Sequence, residues 1–280
     1  MHERGAGRVT WPLAPRGGSP LMEVPSGFEG IRYGRTSLVL RSALRHWLEP
    51  ILRATPSGWP GYSVRHLSGG RGGVTVVGAA DTEVVLRPYR RGGVPAWIIR
   101  DTYFGWRARP FHELAVTEML RRRRVSVIEV HGAVVHWRLP GVYRGWLATR
   151  YIADAQTLWQ WVHGPPAAAD RAEVFAQVGR AVRGLHAGGA CHPDLNLNNI
   201  LLRNTAPIDI VLIDFDRARL GTSARSAAAD LTRLERSARK LDPRGEWVTT
   251  ADLKALRVGY ADNEFASALR DDALVDEPAL

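Results

Sequence analysis

Three oxygen-bearing side chains in the second half of the chain have the types and the spacing that chemistry on a phosphate group requires. Asp194 lies within the segment His192–Asn199, Asn199 follows it five residues later, and Asp214 comes after a short apolar run. Carboxylate and amide oxygens are ligands that Mg²⁺ accepts in proteins, where it also keeps several waters. Asn199 and Asp214 are therefore candidate metal ligands. This leaves the carboxylate of Asp194 to orient a hydroxyl group and to take its proton.

These groups together suit phosphoryl transfer from ATP, in which a protein contributes positioning and charge neutralisation and little covalent chemistry. Their order is that of the kinase signature HRDxxxxN followed by DFG, which here is HPDxxxxN followed by DFD. His192 is expected to hold the loop through backbone contacts. The alternative is a turn that merely caps a hairpin, because Asn and Asp favour turns. The apolar segments on either side favour the kinase interpretation.

Two apolar segments must position these residues. Ile200–Leu202 follows Asn199 directly, and Ile210–Ile213 leads directly into Asp214. Short apolar runs that end in polar residues indicate buried strands, and two in succession indicate a hairpin. Residues 170–187 are predicted to form the helix that leads into the loop. Two further helices are predicted over residues 227–240 and 250–260.

The first half of the chain contains a glycine-rich turn that could bind a nucleotide. Such a turn lets backbone N–H groups approach a phosphate closely. It consists of Gly69, Gly70, Arg71, Gly72 and Gly73. The next predicted strand, residues 83–87, ends in Arg87 at the position where kinases carry a lysine. Only Lys240 and Lys254 are lysines in this chain, and both follow the DFD segment.

Arg87 is expected to have an acidic partner on a helix. Its guanidinium can bind phosphate as well as carboxylate, and the predicted helix 110–123 carries Glu113 and Glu118. These glutamates are five residues apart and face different ways, so only one of them can point inward. We choose Glu113.

The charge of the chain is unevenly distributed. Residues 1–150 carry 23 arginines against 10 acidic residues, whereas residues 151–280 carry 15 basic and 18 acidic residues. The basic half favours an anionic partner, such as a membrane surface or a phosphorylated glycolipid. The alternative is a compositional preference, because arginine supplies 36 of the 38 cations. No aromatic RNA-binding strand motif is present, and we expect no nucleic acid partner. Arg90 and Arg91 could bind an acidic acceptor or simply form an exposed turn.

Other features indicate the environment of the chain. The single cysteine, Cys191, excludes an intramolecular disulfide, fits a reducing compartment and is predicted to be buried. No signal peptide and no run of about 18 apolar residues is present, so we expect a cytoplasmic protein. Residues 1–27 are predicted to be disordered. Residues 37–53 show helical apolar spacing with arginines between, which predicts a basic amphipathic helix that packs on the fold or lies on a membrane.

Three segments resemble a known family. They are LRPYRRGG (residues 86–93), HPDLNLNNIL (192–201) and LIDFDRAR (212–219). Together they resemble the 3-deoxy-D-manno-octulosonic acid (Kdo) kinases of the lipopolysaccharide kinase group, over about residues 68–260. DLN replaces the DLK of protein kinases and DFDR replaces DFG, while the glycine-rich turn lacks the aromatic residue usual in the family.

The resemblance implies an α+β, protein-kinase-like fold, with a small β-rich N-terminal lobe (28–150) and a short helical C-terminal lobe (151–280). It also implies ATP and Mg²⁺, Asp194 as the catalytic aspartate, and Asn199 and Asp214 as metal ligands. The implied reaction phosphorylates a Kdo hydroxyl of Kdo-lipid A at the cytoplasmic face of the inner membrane of a Gram-negative cell. Arg90 and Arg91 would then meet the acidic sugar.

Three alternatives are a protein kinase, a small-molecule phosphotransferase and a pseudokinase scaffold. No APE-like segment follows the DFD residues, and the remaining chain is short, which argues against peptide substrates. The missing strand lysine favours a scaffold. A scaffold, however, would need none of Asp194, Asn199 and Asp214, and all three are present.

Overall fold

The computed structural model describes residues 24–55, 57–67, 73–79, 82–89, 102–105, 108–164, 170–203, 205 and 208–262. The chain forms two compact units. One extends to Ala115 and includes Val130–Tyr151, and the other comprises Val116–Glu129 and the chain from Ile152 onward. The sequence suggested a single boundary near residue 150, but the segment 116–129 belongs to the second unit. It does so because its apolar residues, among them Leu120 and Val125, lie in the core of that unit.

The first unit is built on an eight-stranded antiparallel sheet. Its strands are β1 (Phe28–Tyr33), β2 (Thr36–Arg41), β3 (Ser63–Leu67), β4 (Val74–Ala79), β5 (Thr82–Pro88), β6 (Tyr103–Phe104), β7 (Val130–Leu139) and β8 (Val142–Arg150). The strand order is β1-β2-β7-β8-β5-β4-β3, and β6 pairs with β8. The predicted strand 83–87 is therefore present as β5, between β4 and β8.

The central strands of the sheet are buried on both faces. Successive side chains of a strand point to opposite faces, and in β2 Leu38 and Leu40 join one apolar cluster while Val39 joins another. Helix α1 (Arg45–Ala54) contributes to the first cluster, and the beginning of helix α2 (Arg109–Arg122) contributes to the second. Two apolar layers thus lie on the two faces of the sheet.

Two predictions for the N-terminal region differ from the structure in their bounds. Residues 37–41 belong to β2, a short 3₁₀ turn covers Ser42–Leu44, and the helix begins only at Arg45. A strand buried on both faces has a continuous apolar run, which extended the helical pattern in the sequence. Disorder was predicted for residues 1–27, but the last four of these are ordered. Phe28 N–H donates to Pro25 O at 3.0 Å, and Val24 packs on the core. Residues 1–23 lie outside the described part.

The second unit is mainly helical. Besides the end of α2 it contains α3 (Leu158–His163), α4 (Arg171–Ala187), α5 (Ala224–Leu241) and α6 (Thr250–Ala261). Its short strands are β9 (Ala155–Thr157), β10 (Ala190–Cys191), β11 (Ile200–Arg203), β12 (Asp209–Leu212) and β13 (Arg219–Leu220). Strand β11 pairs with β12 and with β9, and β10 pairs with β13. The predicted hairpin and the three predicted helices are confirmed.

Local signals account for the ends of these helices. Asp170 caps α4, and Ser223 and Thr249 form capping boxes at α5 and α6, each satisfying backbone N–H groups that lack a helical partner. Helices α4 and α6 then pack so closely that a Cβ atom at Gly179 or Gly259 would overlap the backbone of the other helix. Cys191 is a buried free thiol, as predicted. None of the helices within the described ranges is both long and apolar enough to cross a membrane.

Candidate active site

The loop between β10 and β11 presents Asp194 on a fixed support. Leu195 and Leu197 are buried in the core of the second unit, whereas Asp194 is exposed. The loop turns at its beginning, where Leu195 N–H donates to His192 O at 2.9 Å. Because alternate residues anchor the loop, the carboxylate of Asp194 reaches solvent from a rigid backbone.

Asn199 is oriented by the backbone of Asp194. Its Nδ2 donates to Asp194 O at 3.0 Å, and its own carbonyl accepts from Ile213 N–H at 3.0 Å. Asn196 donates to the same carbonyl of Asp194 at 2.7 Å. With its amide nitrogen engaged, Asn199 directs Oδ1 away from Asp194, which suits a metal ligand. Asn196 stands where protein kinases carry a lysine, and here its side chain shapes the loop.

Asp214 follows β12 in an uncommon backbone conformation. Its φ of 69° lies in the left-handed region, which costs a residue other than glycine about 1–2 kcal/mol, although Asp and Asn tolerate it best. The next residue, Phe215, is fully buried. The conformation persists because Phe215 anchors the turn beyond the end of the strand. A strained polar residue held in this way is typical of functional sites.

The oxygen donors of this unit fit a hard cation. Asn199 directly precedes β11 and Asp214 follows β12, and these two strands form one hairpin in which Ile200 pairs with Leu212. Mg²⁺ takes oxygen ligands of this kind. The residues that the sequence predicted as metal ligands thus come from adjoining ends of the same hairpin.

His192 is a structural residue of the loop. It is buried, its Nε2 lies 3.0 Å from Ile213 O, and its ring packs against Phe215 with 5.0 Å between centroids. Because a carbonyl only accepts, Nε2 carries the hydrogen. The backbone N–H of His192 donates to Asp230 Oδ2 at 2.6 Å. His192 therefore ties the Asp194 loop to the residue before Asp214, in line with its predicted role.

Asp230 was missed by sequence reasoning. It is a buried carboxylate on α5 that also lies 3.2 Å from His186 Nε2, and His186 Nδ1 lies 2.8 Å from the hydroxyl of Tyr260. A buried carboxylate requires several partners, and Asp230 obtains them from α4 and from the loop. Its signal in the sequence is an acidic residue among the apolar positions of an amphipathic helix, beside Ala227 and Leu234.

In the first unit the structure pairs Arg87 with Glu113, the glutamate that the sequence favoured. Arg87 Nη2 lies 2.5 Å from both Glu113 oxygens, and the Tyr89 hydroxyl donates to the same carboxylate. The side chain of Glu113 is 2% exposed and that of Arg87 is 28% exposed. Glu118 instead binds Arg121 and Arg122. The buried carboxylate thus fixes a partly exposed guanidinium at the end of β5.

Packing between α2 and the sheet brings Glu113 to β5. A Cβ atom at Gly145 would lie 2.5 Å from Pro110 Cγ, so a glycine in β8 lets the start of α2 approach. The Tyr143 hydroxyl accepts from Arg109 N–H at 3.0 Å, and Tyr103 stacks on Tyr143. Neither Gly145 nor the tyrosines were singled out by sequence reasoning, since their role depends on which elements meet.

Part of the predicted site falls on residues that are not described. Gly69, Gly70, Arg71 and Gly72 of the glycine-rich turn, and Arg90 and Arg91, lie outside the described ranges. The strands that flank the turn are described, and Leu67 of β3 pairs with Val74 of β4. Gly73 has a φ of 64°, which glycine adopts readily. The segment therefore joins two hairpin strands, and its role in phosphate binding stays a prediction.

Comparison with known proteins places the chain in a family. The model of the lipopolysaccharide kinase (Kdo/WaaP) family matches residues 60–260. A 3-deoxy-D-manno-octulosonic acid kinase of Xylella fastidiosa (strain 9a5c) is 34% identical over 212 residues, which are 73% of this chain and 82% of that protein. One from Vibrio cholerae serotype O1 is 29% identical over 181 residues, covering 61% and 72% of the two chains.

A solved structure supports the fold. WaaP in complex with acyl carrier protein aligns with a TM-score of 0.52 at 16% identity, covering 85% of this chain and 98% of that chain. The expected kinase-like α+β fold, with an antiparallel sheet first and helices after it, is confirmed.

Proposed function

This chain belongs to the lipopolysaccharide kinase (Kdo/WaaP) family, and from that premise we propose that it transfers the γ-phosphoryl group of ATP to a hydroxyl of Kdo in Kdo-lipid A. Membership itself makes the chain a phosphotransferase that acts on a sugar hydroxyl in lipopolysaccharide biosynthesis. ATP as the donor, Kdo-lipid A as the acceptor and the roles of individual residues are the proposed part.

The observation that carries the proposal is the construction of the Asp194 loop. Two side-chain amides hold the backbone carbonyl of Asp194, and its carboxylate is exposed. A fixed, exposed carboxylate can accept a hydrogen bond from an acceptor hydroxyl and take its proton during transfer. Asp194 is thus proposed as the base.

Asn199 and Asp214 are proposed to hold Mg²⁺, through Oδ1 and the carboxylate respectively. Bound Mg²⁺·ATP would supply the phosphoryl group and neutralise its charge. Arg87 would bind the phosphates of the donor, and Glu113 would fix the direction of its guanidinium. Arg90 and Arg91 are proposed to bind the carboxylate of Kdo, since arginine forms paired hydrogen bonds with carboxylates. The reaction is proposed to occur at the cytoplasmic face of the inner membrane.

The test is an incubation of the full chain with Mg²⁺, ATP and one of three acceptors. The acceptors are Kdo-lipid A, a heptosylated core oligosaccharide and a generic protein, and incorporated phosphate is measured by mass spectrometry. We expect one phosphate on Kdo of Kdo-lipid A and none when Asp194 is replaced by Ala. Labelling of the protein alone would contradict the proposal.

A further inference from the structure

Several arginines in the first half of the chain are paired with its glutamates. Arg45 lies 2.7 Å from Glu29 and 3.1 Å from Glu49, and Arg53 lies 3.7 Å from Glu49. Arg65 and Arg87 are likewise paired with glutamates. These pairs fix individual arginines, although the described part of residues 1–150 still carries 15 arginines against 6 acidic residues.

Helix α5 lies in the half of the chain that has a net negative charge, yet it carries a cluster of cationic side chains. Five of its side chains are cationic and all five are exposed. They are Arg225, Arg233, Arg236, Arg239 and Lys240. At 100° per residue they fall within an arc of about 120° around the helix. We call this set the α5 basic face.

The two acidic residues of α5 lie away from this face and are engaged elsewhere. Asp230 is buried and accepts from His192 N–H, and Glu235 is buried against Arg257 at 2.6 Å. The residues of α5 that pack on the core, Ala227, Leu234 and Ala238 among them, lie on the same side as these acids. The α5 basic face thus carries five positive charges and no negative charge.

No ion pair neutralises this face within the described part of the chain. None of its five side chains makes a salt bridge or a side-chain hydrogen bond there, in contrast to the arginines of α1. Five like charges along about 22 Å of helix repel one another, so a bound polyanion would relieve an existing repulsion.

We propose that the α5 basic face docks the protein on an anionic phospholipid bilayer, an inference that rests on the proposed lipid-linked acceptor. Protein interfaces rely on buried aromatic and apolar anchors. The uncharged exposed residues of this face are only Ala228, Ala229 and Thr232, so it has no such anchor. Long cationic side chains without a shaped pocket suit a diffuse layer of anionic head groups.

The test is binding of the full chain to vesicles of phosphatidylcholine alone or mixed equally with phosphatidylglycerol, measured by co-sedimentation. Each cation near such a surface strengthens binding by roughly fivefold. Arg233→Gln combined with Arg236→Gln is therefore expected to weaken binding to the anionic vesicles about 25-fold. Added salt should weaken binding of the unmodified chain in the same direction.

The matched control is Arg45→Gln combined with Arg53→Gln, which removes the same charge from α1. We expect less than about a fivefold loss in this control, because these arginines are already paired. Thermal unfolding checks that both variants are folded, and Arg225→Gln with Lys240→Gln serves as a second α5 variant. Equal losses in the α1 and α5 variants, or no loss in either α5 variant, would overturn the proposal.

Other occupants of the face would also be detected. Residues 263–280 contain five acidic residues, Glu264, Asp271, Asp272, Asp276 and Glu277. If the chain bound vesicles only after these acidic residues were replaced by neutral ones, the ligand of the α5 basic face would be the chain's own terminal segment. If the α5 variants lost binding to RNA or to an acidic protein and not to vesicles, the partner would be a macromolecule. Either result would overturn membrane docking.

The outcome is separable from that of the proposed function. The vesicle assay contains neither ATP nor Kdo-lipid A, so binding can fail while phosphorylation of Kdo-lipid A dispersed in detergent persists. Conversely, binding can persist in a chain that transfers no phosphate to Kdo.

Discussion

At the scale of single residues, the backbone and side chain of Asp194 have separate tasks. Its carbonyl accepts from Asn196 and Asn199, and within the described residues no hydrogen bond reaches its carboxylate. The hydrogen bonds that support the loop therefore do not involve the Asp194 carboxylate, which is the group proposed to act on the acceptor. Replacing that carboxylate should remove the chemistry and leave the loop in place.

We expect Asp194→Ala to abolish phosphoryl transfer, with a loss of at least about 10²-fold, and to leave binding of Mg²⁺·ATP largely intact. Turnover and calorimetric nucleotide binding are the two measurements. Asp209→Ala, which removes an exposed carboxylate at the far end of the β11–β12 hairpin, is the control and should retain activity. Turnover of Asp194→Ala within tenfold of the unmodified chain would show that another group is the base.

Arg87 and Glu113 should act as one unit. Arg87→Gln and Glu113→Gln are each expected to lower kcat/KM for ATP by about 10–100-fold, as for the loss of a charged hydrogen bond. The double variant should be little worse than the poorer single variant, with a coupling energy of about 0.5–3 kcal/mol.

Steady-state kinetics of the four proteins would measure this coupling. The corresponding cycle at the exposed pair Arg45 and Glu29 is the control, and it should leave kcat/KM unchanged. Additive losses for Arg87 and Glu113 would mean that Glu113 serves some purpose other than orienting Arg87.

At the scale of elements, close approach of helices positions the polar groups behind the loop. Tyr260 on α6 reaches His186 on α4, and His186 reaches Asp230 on α5. This chain of contacts requires α4 and α6 to be nearly in backbone contact, which Gly179 and Gly259 allow. The two glycines therefore help to position the Asp194 loop, although neither of them belongs to it.

Gly259→Ala is expected to lower the free energy of unfolding by about 1–3 kcal/mol, because the added methyl group has no space between the helices. Urea denaturation measures the change. Val258→Ala on the same helix is the control, since Val258 is 63% exposed, and it should shift the unfolding free energy by less than about 0.5 kcal/mol. A neutral Gly259→Ala would indicate that α6 can move away from α4 without loss.

At the scale of the whole molecule, the distribution of charge follows pairing and burial rather than composition. The basic half uses glutamates to hold several arginines, and the acidic half buries two carboxylates of α5 against His186, the backbone N–H of His192 and Arg257. Net charge by segment therefore does not show where the unpaired cations lie. Five exposed cations for which the described residues provide no ion pair lie on one helix of the segment that is acidic overall.

The stability of the molecule should depend on pH through His136. Burial lowers the pKa of His136, and its ring is hydrogen bonded at both nitrogens. Thr55 Oγ1 donates to Leu52 O at 2.6 Å, so it accepts from Nε2 at 2.9 Å, while Thr36 lies 3.0 Å from Nδ1. The folded protein thus prefers the neutral ring.

Because the unfolded chain binds this proton more readily, the stabilisation is complete above pH of about 6.5 and is lost as the pH falls below it. Urea denaturation at several pH values should show a smaller slope for His136→Gln, which cannot take up a proton. His46→Gln, on the exposed surface of α1, should keep the original slope. Equal slopes in all three proteins would exclude His136 as the source.

Much of the site followed from the sequence because it depends on short-range order. The spacing of Asp194, Asn199 and Asp214 and the hairpin between them were derivable from local patterns, which also narrowed the partner of Arg87 to two glutamates of one helix. Strand β2 was misassigned as helix, because a strand covered on both faces loses the alternation that distinguishes it from a helix. The role of Asp230 was not predicted because its partners, His192 and His186, are 38 and 44 residues away along the chain.

The sequence by itself determined which reactive groups exist, their order, and the elements that carry them, since each of these is set within a few residues. Tertiary structure alone decided how those groups are held. Long-range contacts orient Arg87 by Glu113, tie His192 to Asp230, and let α4 and α6 meet through Gly179 and Gly259. The same contacts left five cations of α5 exposed, because ion pairing and burial depend on which surfaces meet in space and not on position along the chain.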